Sequence, residues 1–224
     1  MPAGVLAVSS PGPRATPHGT GRASRFSARV EQDRLAYWLL PGASTVARMT
    51  TQQLGPQSGT LKVNTYREGV AQKIGHDLVI AVEQWDATVD IGTDGAIQSV
   101  QLNADPSSLQ ISEAHNGAKA LSDKDRKDIK TSMDEKVLRG QPIAFASSAV
   151  EPRDGGVTVV GDLTMADTTR PATFEIDVRG DGHVAGTLPV TQSEWGIKPY
   201  KALMGALKVR DTVEIVLDVR LPAA

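Results

Sequence analysis

Residues 212–221 read Thr-Val-Glu-Ile-Val-Leu-Asp-Val-Arg-Leu, and this stretch decides the fold class. Apolar side chains stand at positions 213, 215, 217, 219 and 221, with Glu214, Asp218 and Arg220 between them. Because successive residues of a strand point to opposite faces, this period of two predicts a strand with one buried face.

The same period recurs from residue 59 onward, in segments that are separated by turn residues. Gly92–Thr93–Asp94–Gly95 and Gly180–Asp181–Gly182–His183 have the composition of tight turns. No helical crossover separates consecutive segments, so a parallel sheet is not expected. Seven or eight strands at this spacing predict an antiparallel sandwich or barrel. The segments are 61–66, 85–91, 100–104, 109–111, 143–147, 157–165, 174–178 and 213–221.

One stretch predicts an amphipathic helix. Ser122 is a good N-cap, and Gly140 ends the pattern. Ile129, Met133 and Val137 fall on one face at a spacing of four residues. Such a helix either covers one opening of a barrel that encloses a cavity, or plugs the barrel's end or packs on its outer wall.

The composition excludes several classes of protein. The chain has no cysteine, which excludes disulfides, thiolate metal sites and cysteine nucleophiles. Its 24 basic and 26 acidic residues nearly balance, which gives no indication of nucleic acid as a partner. No apolar run approaches the roughly 20 residues that span a bilayer, so no integral membrane segment is expected. No spaced set of His, Asp and Glu predicts a metal site, and no motif calls for a cofactor.

The first 48 residues differ from the rest of the chain. They contain six arginines, no lysine and two acidic residues, and residues 9–20 are dominated by Pro, Gly, Ser, Thr and Ala. Two interpretations remain open: a disordered or weakly ordered extension over 1–48, or translation that begins at Met49. No signal-peptide pattern is legible, so we expect a cytoplasmic protein, with a periplasmic or secreted one as the alternative. The barrel domain is predicted over residues 59–224.

Among the four histidines, His76 alone has an acidic neighbour in the sequence, Asp77. Adjacent residues of a strand point to opposite faces, so these two would not form a base and its orienting carboxylate. A hydrolase or isomerase in which His76 acts as a base, with a serine such as Ser193 nearby, remains a minor alternative.

The segment 191–210 is neither a clean strand nor a clean helix. It is either ordinary core that covers a barrel mouth, or part of a cavity wall or lid in which methionine supplies adaptable contacts. Its large apolar residues are Trp195, Ile197, Tyr200, Leu203, Met204 and Leu207.

Several motifs, taken in order, resemble those of the YceI-like, polyisoprenoid-binding proteins. Gly161–Asp162–Leu163–Thr164–Met165, followed by residues 168–174, is similar to the family's strand–turn–strand. Residues 73–78 and the helix from 121 to 138 also resemble family members. So does the ending, with Ser-Glu-Trp-Gly at 193–196 and Arg-Asp-Thr-Val-Glu-Ile at 210–215. The resemblance covers residues 59–221.

The resemblance implies an all-β fold, an eight-stranded antiparallel lipocalin-like barrel with one amphipathic helix. It also implies a homodimer, no catalytic residue, and a long isoprenoid or other lipid chain held inside the barrel. The predicted function is therefore binding, storage or transport of a polyisoprenoid, an isoprenoid quinone or a fatty-acyl chain.

An eight-stranded barrel is wide enough either for packed side chains or for one ligand. A filled barrel that serves as an interaction or stress-response scaffold is therefore the alternative, although the aromatic content of 4% leaves room inside and favours a cavity. The candidate cavity residues are Val79, Trp85, Val89, Phe145, Leu163, Phe174, Trp195, Ile197, Leu203, Met204 and Leu207.

Overall fold

Strands dominate the part of the chain that a computed structural model describes, residues 49–221. The extension predicted over 1–48 lies outside the described residues. One α-helix, α1 (Asp123–Ser132), continues into a π-helical turn, Met133–Leu138. The strands are β1 Thr50–Leu54, β2 Gly59–Thr65, β3 Arg67–Glu68, β4 Asp77–Val82, β5 Trp85–Ile91, β6 Ile97–Ala104, β7 Leu109–His115, β8 Ile143–Arg153, β9 Gly156–Met165, β10 Thr168–Val178, β11 His183–Thr191, β12 Lys201–Ala202, β13 Leu207–Val209 and β14 Thr212–Arg220.

Eleven of these strands form one curled antiparallel sheet. Its order is β1-β5-β6-β8-β9-β10-β11-β14-β2-β4-β7, and a separate small sheet has the order β12-β13-β3. The strand that the sequence marks most clearly, β14, lies between β11 and β2 and pairs with β11 over nine residues. Its alternation places Val213 and Val219 in the core, as the sequence predicts.

Three pairs of consecutive strands behave as single bent strands: β1 with β2, β4 with β5, and β6 with β7. The ladder continues across the bend, because the Glu83 amide donates to the Ser108 carbonyl at 3.3 Å and the Asp105 amide to the Gln84 carbonyl at 2.9 Å. The bent pair β4–β5 thus meets β1–β2 on one side and β6–β7 on the other.

When each bent pair is counted as one strand, eight strands follow one another around the barrel. The bent pairs are continuous with the other five strands, because β6 pairs with β8 and β2 pairs with β14. The predicted fold class, an all-β antiparallel lipocalin-like barrel with one amphipathic helix, is confirmed. The alternating pattern alone did not predict β1, β4 or β11, which raise the count of separate strands above eight.

The helix begins where its sequence predicts. The Ser122 hydroxyl accepts from the Asp125 amide at 3.2 Å, and the Asp125 carboxylate accepts from the Ser122 amide at 3.0 Å, which together form a capping box. Arg126 attaches α1 to β7 by donating to the Ile111 carbonyl, and Lys130 attaches it to the turn between β6 and β7 by donating to the Ser107 carbonyl. Among residues 49–221, no helix has both the length and the apolar character needed to cross a bilayer.

Candidate ligand cavity

The barrel encloses a cavity of about 930 Å³. The inward faces of nine strands of the large sheet line it, and these faces are almost entirely apolar. The alternation that builds each strand also builds this wall, since every second residue points inward. Representative wall residues are Leu61 and Val63 of β2, Ile80 of β4, Leu188 of β11, and Ile215 and Leu217 of β14.

Two aromatic rings of the cavity wall pack against each other. Phe145 and Phe174 both line the cavity and meet edge to face, with ring centroids 5.3 Å apart and an interplanar angle of 66°. Phe145 lies directly over Gly161 of β9, where an added Cβ would be 2.6 Å from its Cζ atom. Opposite Phe174 in the ladder stands Val159, which is completely buried. Gly161 therefore leaves the space that the Phe145 ring occupies.

The helix forms a further part of the cavity wall. Its apolar face, with Ile129, Met133 and Val137, lines the cavity together with Leu121 and Leu138. The helix thus lines the cavity and does not merely pack on the outer wall of the barrel; that it covers an opening of the barrel stays a prediction. These residues are half-buried, apart from Leu138, which is fully buried.

Polar and exposed residues gather at one end of the cavity, which we call the mouth. Arg67 of β3 lines it, and its guanidinium donates to the carbonyls of Gly75 and Asn116. His76 contacts the Lys119 carbonyl through Nε2 at 2.6 Å. The wall beneath is apolar, so a ligand with one polar end would place that end at the mouth and its chain in the barrel.

Asp77 organises the strands at the mouth. Its carboxylate accepts from the Arg67 amide and from the Asn116 side chain, both at 2.8 Å. Partial burial opposes the charged form of this carboxyl, but the two hydrogen bonds and the positive charges of Arg67 and Arg210 together lower the pKa of Asp77 below its usual value. At the helix start, the hydrogen bond from the Ser122 hydroxyl, followed by that from its amide, lowers the pKa of Asp125.

Five of the eleven candidate cavity residues line the cavity together. Phe145, Leu163, Phe174, Ile197 and Leu207 come from β8, β9, β10 and the segment 191–210. Whether they contact a ligand stays a prediction.

The other six candidates lie elsewhere. Trp85, Val89 and Trp195 are buried in the packed core, and the Trp195 indole donates to the Leu163 carbonyl at 3.0 Å. Val79 stands between the cavity-lining residues Leu78 and Ile80, so it is on the outer face of β4. Leu203 and Met204 are exposed on a turn outside the cavity.

Sequence reasoning missed two groups of wall residues whose signals were present. Val63 of β2 and Ile215 of β14 belong to alternating runs that were recognised as strands, and Ile129 and Met133 belong to the recognised helix face. Whether these residues line the cavity depends on which side of each strand or helix faces the barrel interior. That side is determined only when the strands and the helix assemble into the barrel.

The residues considered for catalysis are not brought together. Ser193 donates through its hydroxyl to the Asp211 carboxylate at 2.5 Å, and His76 contacts a backbone carbonyl. Asp77 faces Arg67 and Asn116 rather than orienting His76. Within residues 49–221, no group of three or more His, Asp or Glu side chains is placed to hold a metal ion.

The fold is that of a lipocalin-like antiparallel barrel, and the cavity is inside it. The YceI-like domain family matches residues 60–221, and the chain belongs to this family. It is a family of binding proteins, known for polyisoprenoid binding.

Two solved structures share the fold. BcnA of Burkholderia cenocepacia has a TM-score of 0.54 and 18% identity, over 73% of this chain and 96% of that one. A YceI protein of Campylobacter jejuni has a TM-score of 0.50 and 8% identity, over 65% of this chain and 85% of that one. No curated protein matches the chain.

Proposed function

We propose that this protein binds and carries or stores an apolar, lipid-like chain, such as a polyisoprenoid, an isoprenoid quinone or a fatty-acyl chain, without catalysing a reaction. The observation that carries the proposal is the apolar cavity of about 930 Å³ inside the barrel. This volume is at the upper end of the usual range for small-molecule sites. A liquid-like volume of about 30 Å³ per water-sized group gives room for on the order of 30 heavy atoms.

Burial of the chain supplies the binding free energy. Each buried methylene contributes about 0.8 kcal/mol, so a chain of about ten carbons gains roughly 8 kcal/mol. This gain is comparable with the estimated cost of immobilising a ligand, and longer chains exceed it. The wall offers few polar partners below the mouth, so selectivity inside the barrel depends on chain length and shape rather than on hydrogen bonds.

The absence of catalysis is part of the same proposal. His76 and Ser193, the residues that the sequence offered as a base and a nucleophile, each have a different hydrogen-bond partner. The His76→Ala variant, which lacks the imidazole, is therefore expected to give the same result as the wild type in a broad screen for hydrolase and isomerase activity. A lost activity in that variant would support the enzyme alternative instead.

The direct test is native mass spectrometry of freshly purified protein. We expect a bound mass that is released by organic extraction and identified as a lipid. The extracted protein should then take up offered isoprenoid quinones or fatty acids with one ligand per chain. A protein that carries no mass and takes up none of these compounds would contradict the proposal. The same spectra measure the homodimer that the family resemblance predicts.

A further inference from the structure

Exposed apolar side chains are concentrated at the cavity mouth. Six large hydrophobic residues are exposed among residues 49–221, and five of them lie in two neighbouring loops. Single exposed hydrophobic residues are ordinary, but a cluster of them marks an interaction site. We call this cluster the rim patch; it consists of Val70, Ile74, Tyr200, Leu203 and Met204.

Backbone contacts hold the two loops of the rim patch together. The Ala71 amide donates to the Ala206 carbonyl at 2.9 Å, and β3 pairs with β13. A Cβ added to Gly75 would be 2.5 Å from the Leu207 Cδ1 atom, so the loops are also in close van der Waals contact there. Ile74 and Tyr200 line the cavity as well, which makes the rim patch continuous with the cavity wall.

The tip of the rim patch is held in an unfavourable backbone conformation. Leu203 and Met204 have φ angles of 50° and 54°, in the left-handed region that bulky side chains avoid. Both side chains are exposed, Leu203 by 56% and Met204 completely, so the strain is not offset by burial within the described residues. Strained residues of this kind cluster at functional sites such as ligand clamps and switch regions.

Charge is distributed unevenly around the rim patch. The segments 67–76 and 196–210 contain six basic residues and one acidic residue, whereas the rest of residues 49–221 contains 12 basic and 23 acidic residues. Lys73, Lys198 and Lys201 are exposed beside the apolar side chains. The two loops that carry the rim patch are therefore positive, whereas the rest of the described residues is negative.

We propose that the rim patch docks the protein on an anionic lipid bilayer, with the cavity mouth facing the membrane. Binding to a bilayer surface increases with the apolar area buried in the interface and with the attraction of basic residues to anionic headgroups. The rim patch supplies the apolar side chains, and Lys73, Lys198 and Lys201 beside it supply the positive charge. The docked orientation lets an apolar chain pass between bilayer and cavity without crossing water. The docking surface goes beyond the proposed ligand binding, although the passage of an apolar chain through it rests on that proposed function.

The test is flotation of the full chain with vesicles of equimolar phosphatidylglycerol and phosphatidylcholine. We expect the wild type to bind these vesicles and to dissociate as the salt concentration rises. The double variant Lys198→Glu/Lys201→Glu should reduce the partition coefficient at least about tenfold. Leu203→Asn/Met204→Asn should reduce it by a similar factor, and asparagine tolerates the left-handed conformation, so the turn is preserved.

A matched control separates local charge from net charge. Arg170→Glu/Arg179→Glu makes the same change in net charge at exposed positions of β10 and the turn that follows it. This control should bind vesicles nearly as well as the wild type. A wild type that binds no vesicles, or rim variants that bind as well as the wild type, would overturn the docking surface.

Binding of a short fluorescent fatty acid without vesicles distinguishes this proposal from the proposed function. The rim variants should bind the probe as the wild type does, because Leu203, Met204, Lys198 and Lys201 do not line the cavity. If the wild type binds the probe but no vesicles, docking fails and the cavity function stands. If it binds vesicles but no fatty acid or isoprenoid, the cavity function fails while the docking surface stands.

Discussion

The inward side chains of β14 line a cavity in one part of the barrel and fill the core in the other. Val213, Ile215 and Leu217 line the cavity, whereas Val219, two residues further along the same face, is 1% exposed and packed. On β11 the same change occurs between Gly186, which lines the cavity, and Val184, which is buried in the core. We call the two parts the hollow part and the filled part of the barrel.

The hollow part and the filled part have the same alternation of inward and outward residues. They therefore differ in the volume of the inward side chains and in the neighbouring aromatic rings. In the filled part, buried valines of several strands belong to one packed cluster, and Val184 and Val219 stand opposite each other in the ladder. In the hollow part, Gly186 contributes no side chain, and Phe145 and Phe174 form an edge-to-face pair in the cavity wall. One continuous sheet thus combines a stabilising core with a binding site.

The largest effect is expected at the boundary between the two parts, at Gly161. A Cβ there would collide with the Ala146 backbone carbonyl and the Phe145 ring, so Gly161→Ala should cost about 3 kcal/mol of unfolding free energy or prevent folding. Urea denaturation measures the loss. Gly180→Ala is the matched control, because nothing lies within 4 Å of its added methyl group, and its stability should change little.

A matched pair of valines compares the two parts directly. Val219→Ala in the filled part should cost about 2–3 kcal/mol, because it leaves a void in a packed core. Val63→Ala on the cavity wall should cost about 1 kcal/mol in ligand-free protein, because its side chain already lacks partners on one side. Equal losses in urea denaturation would mean that the barrel is packed throughout.

A smaller effect is expected from pH, at the mouth of the hollow part. The pKa of Asp77 is lower in the folded protein than in the unfolded chain, so its stabilisation is present above the usual aspartate pKa. That stabilisation is lost as the pH falls through the folded-state pKa. Between about pH 6 and about pH 3, the wild type should therefore lose more stability than Asp77→Asn. Parallel pH profiles for the two proteins would contradict this role of Asp77.

The sequence predicts the barrel better than it predicts the cavity. Alternation along 212–221 and 157–165 indicates the strands, and Ser122 indicates the helix start, because these are local patterns. Ile215 and Val219 are equivalent in that pattern, so their different surroundings follow from packing between distant strands. The alternation likewise predicts Trp85 and Val89 as cavity residues, because it does not distinguish cavity from core, but both belong to the packed core.

The segment 191–210 shows a second limit. Ile197 and Leu207 line the cavity as the sequence predicts for a cavity wall, but Leu203 and Met204 point away from it. Their exposure follows from two consecutive residues with positive φ angles, and neither leucine nor methionine signals that conformation in a sequence. Backbone geometry, rather than residue type, turned part of an apolar segment outward.

The most direct test of the hollow part as a lipid site is to fill it. Leu188→Trp places a larger side chain on the cavity wall, and Val79→Trp places the same side chain on the outer face. Calorimetric titration with a long-chain fatty acid or isoprenoid should show at least about tenfold weaker binding for Leu188→Trp, equivalent to about two methylenes displaced, and unchanged binding for Val79→Trp. Equal affinities for the wild type and both variants would contradict a ligand site inside the barrel.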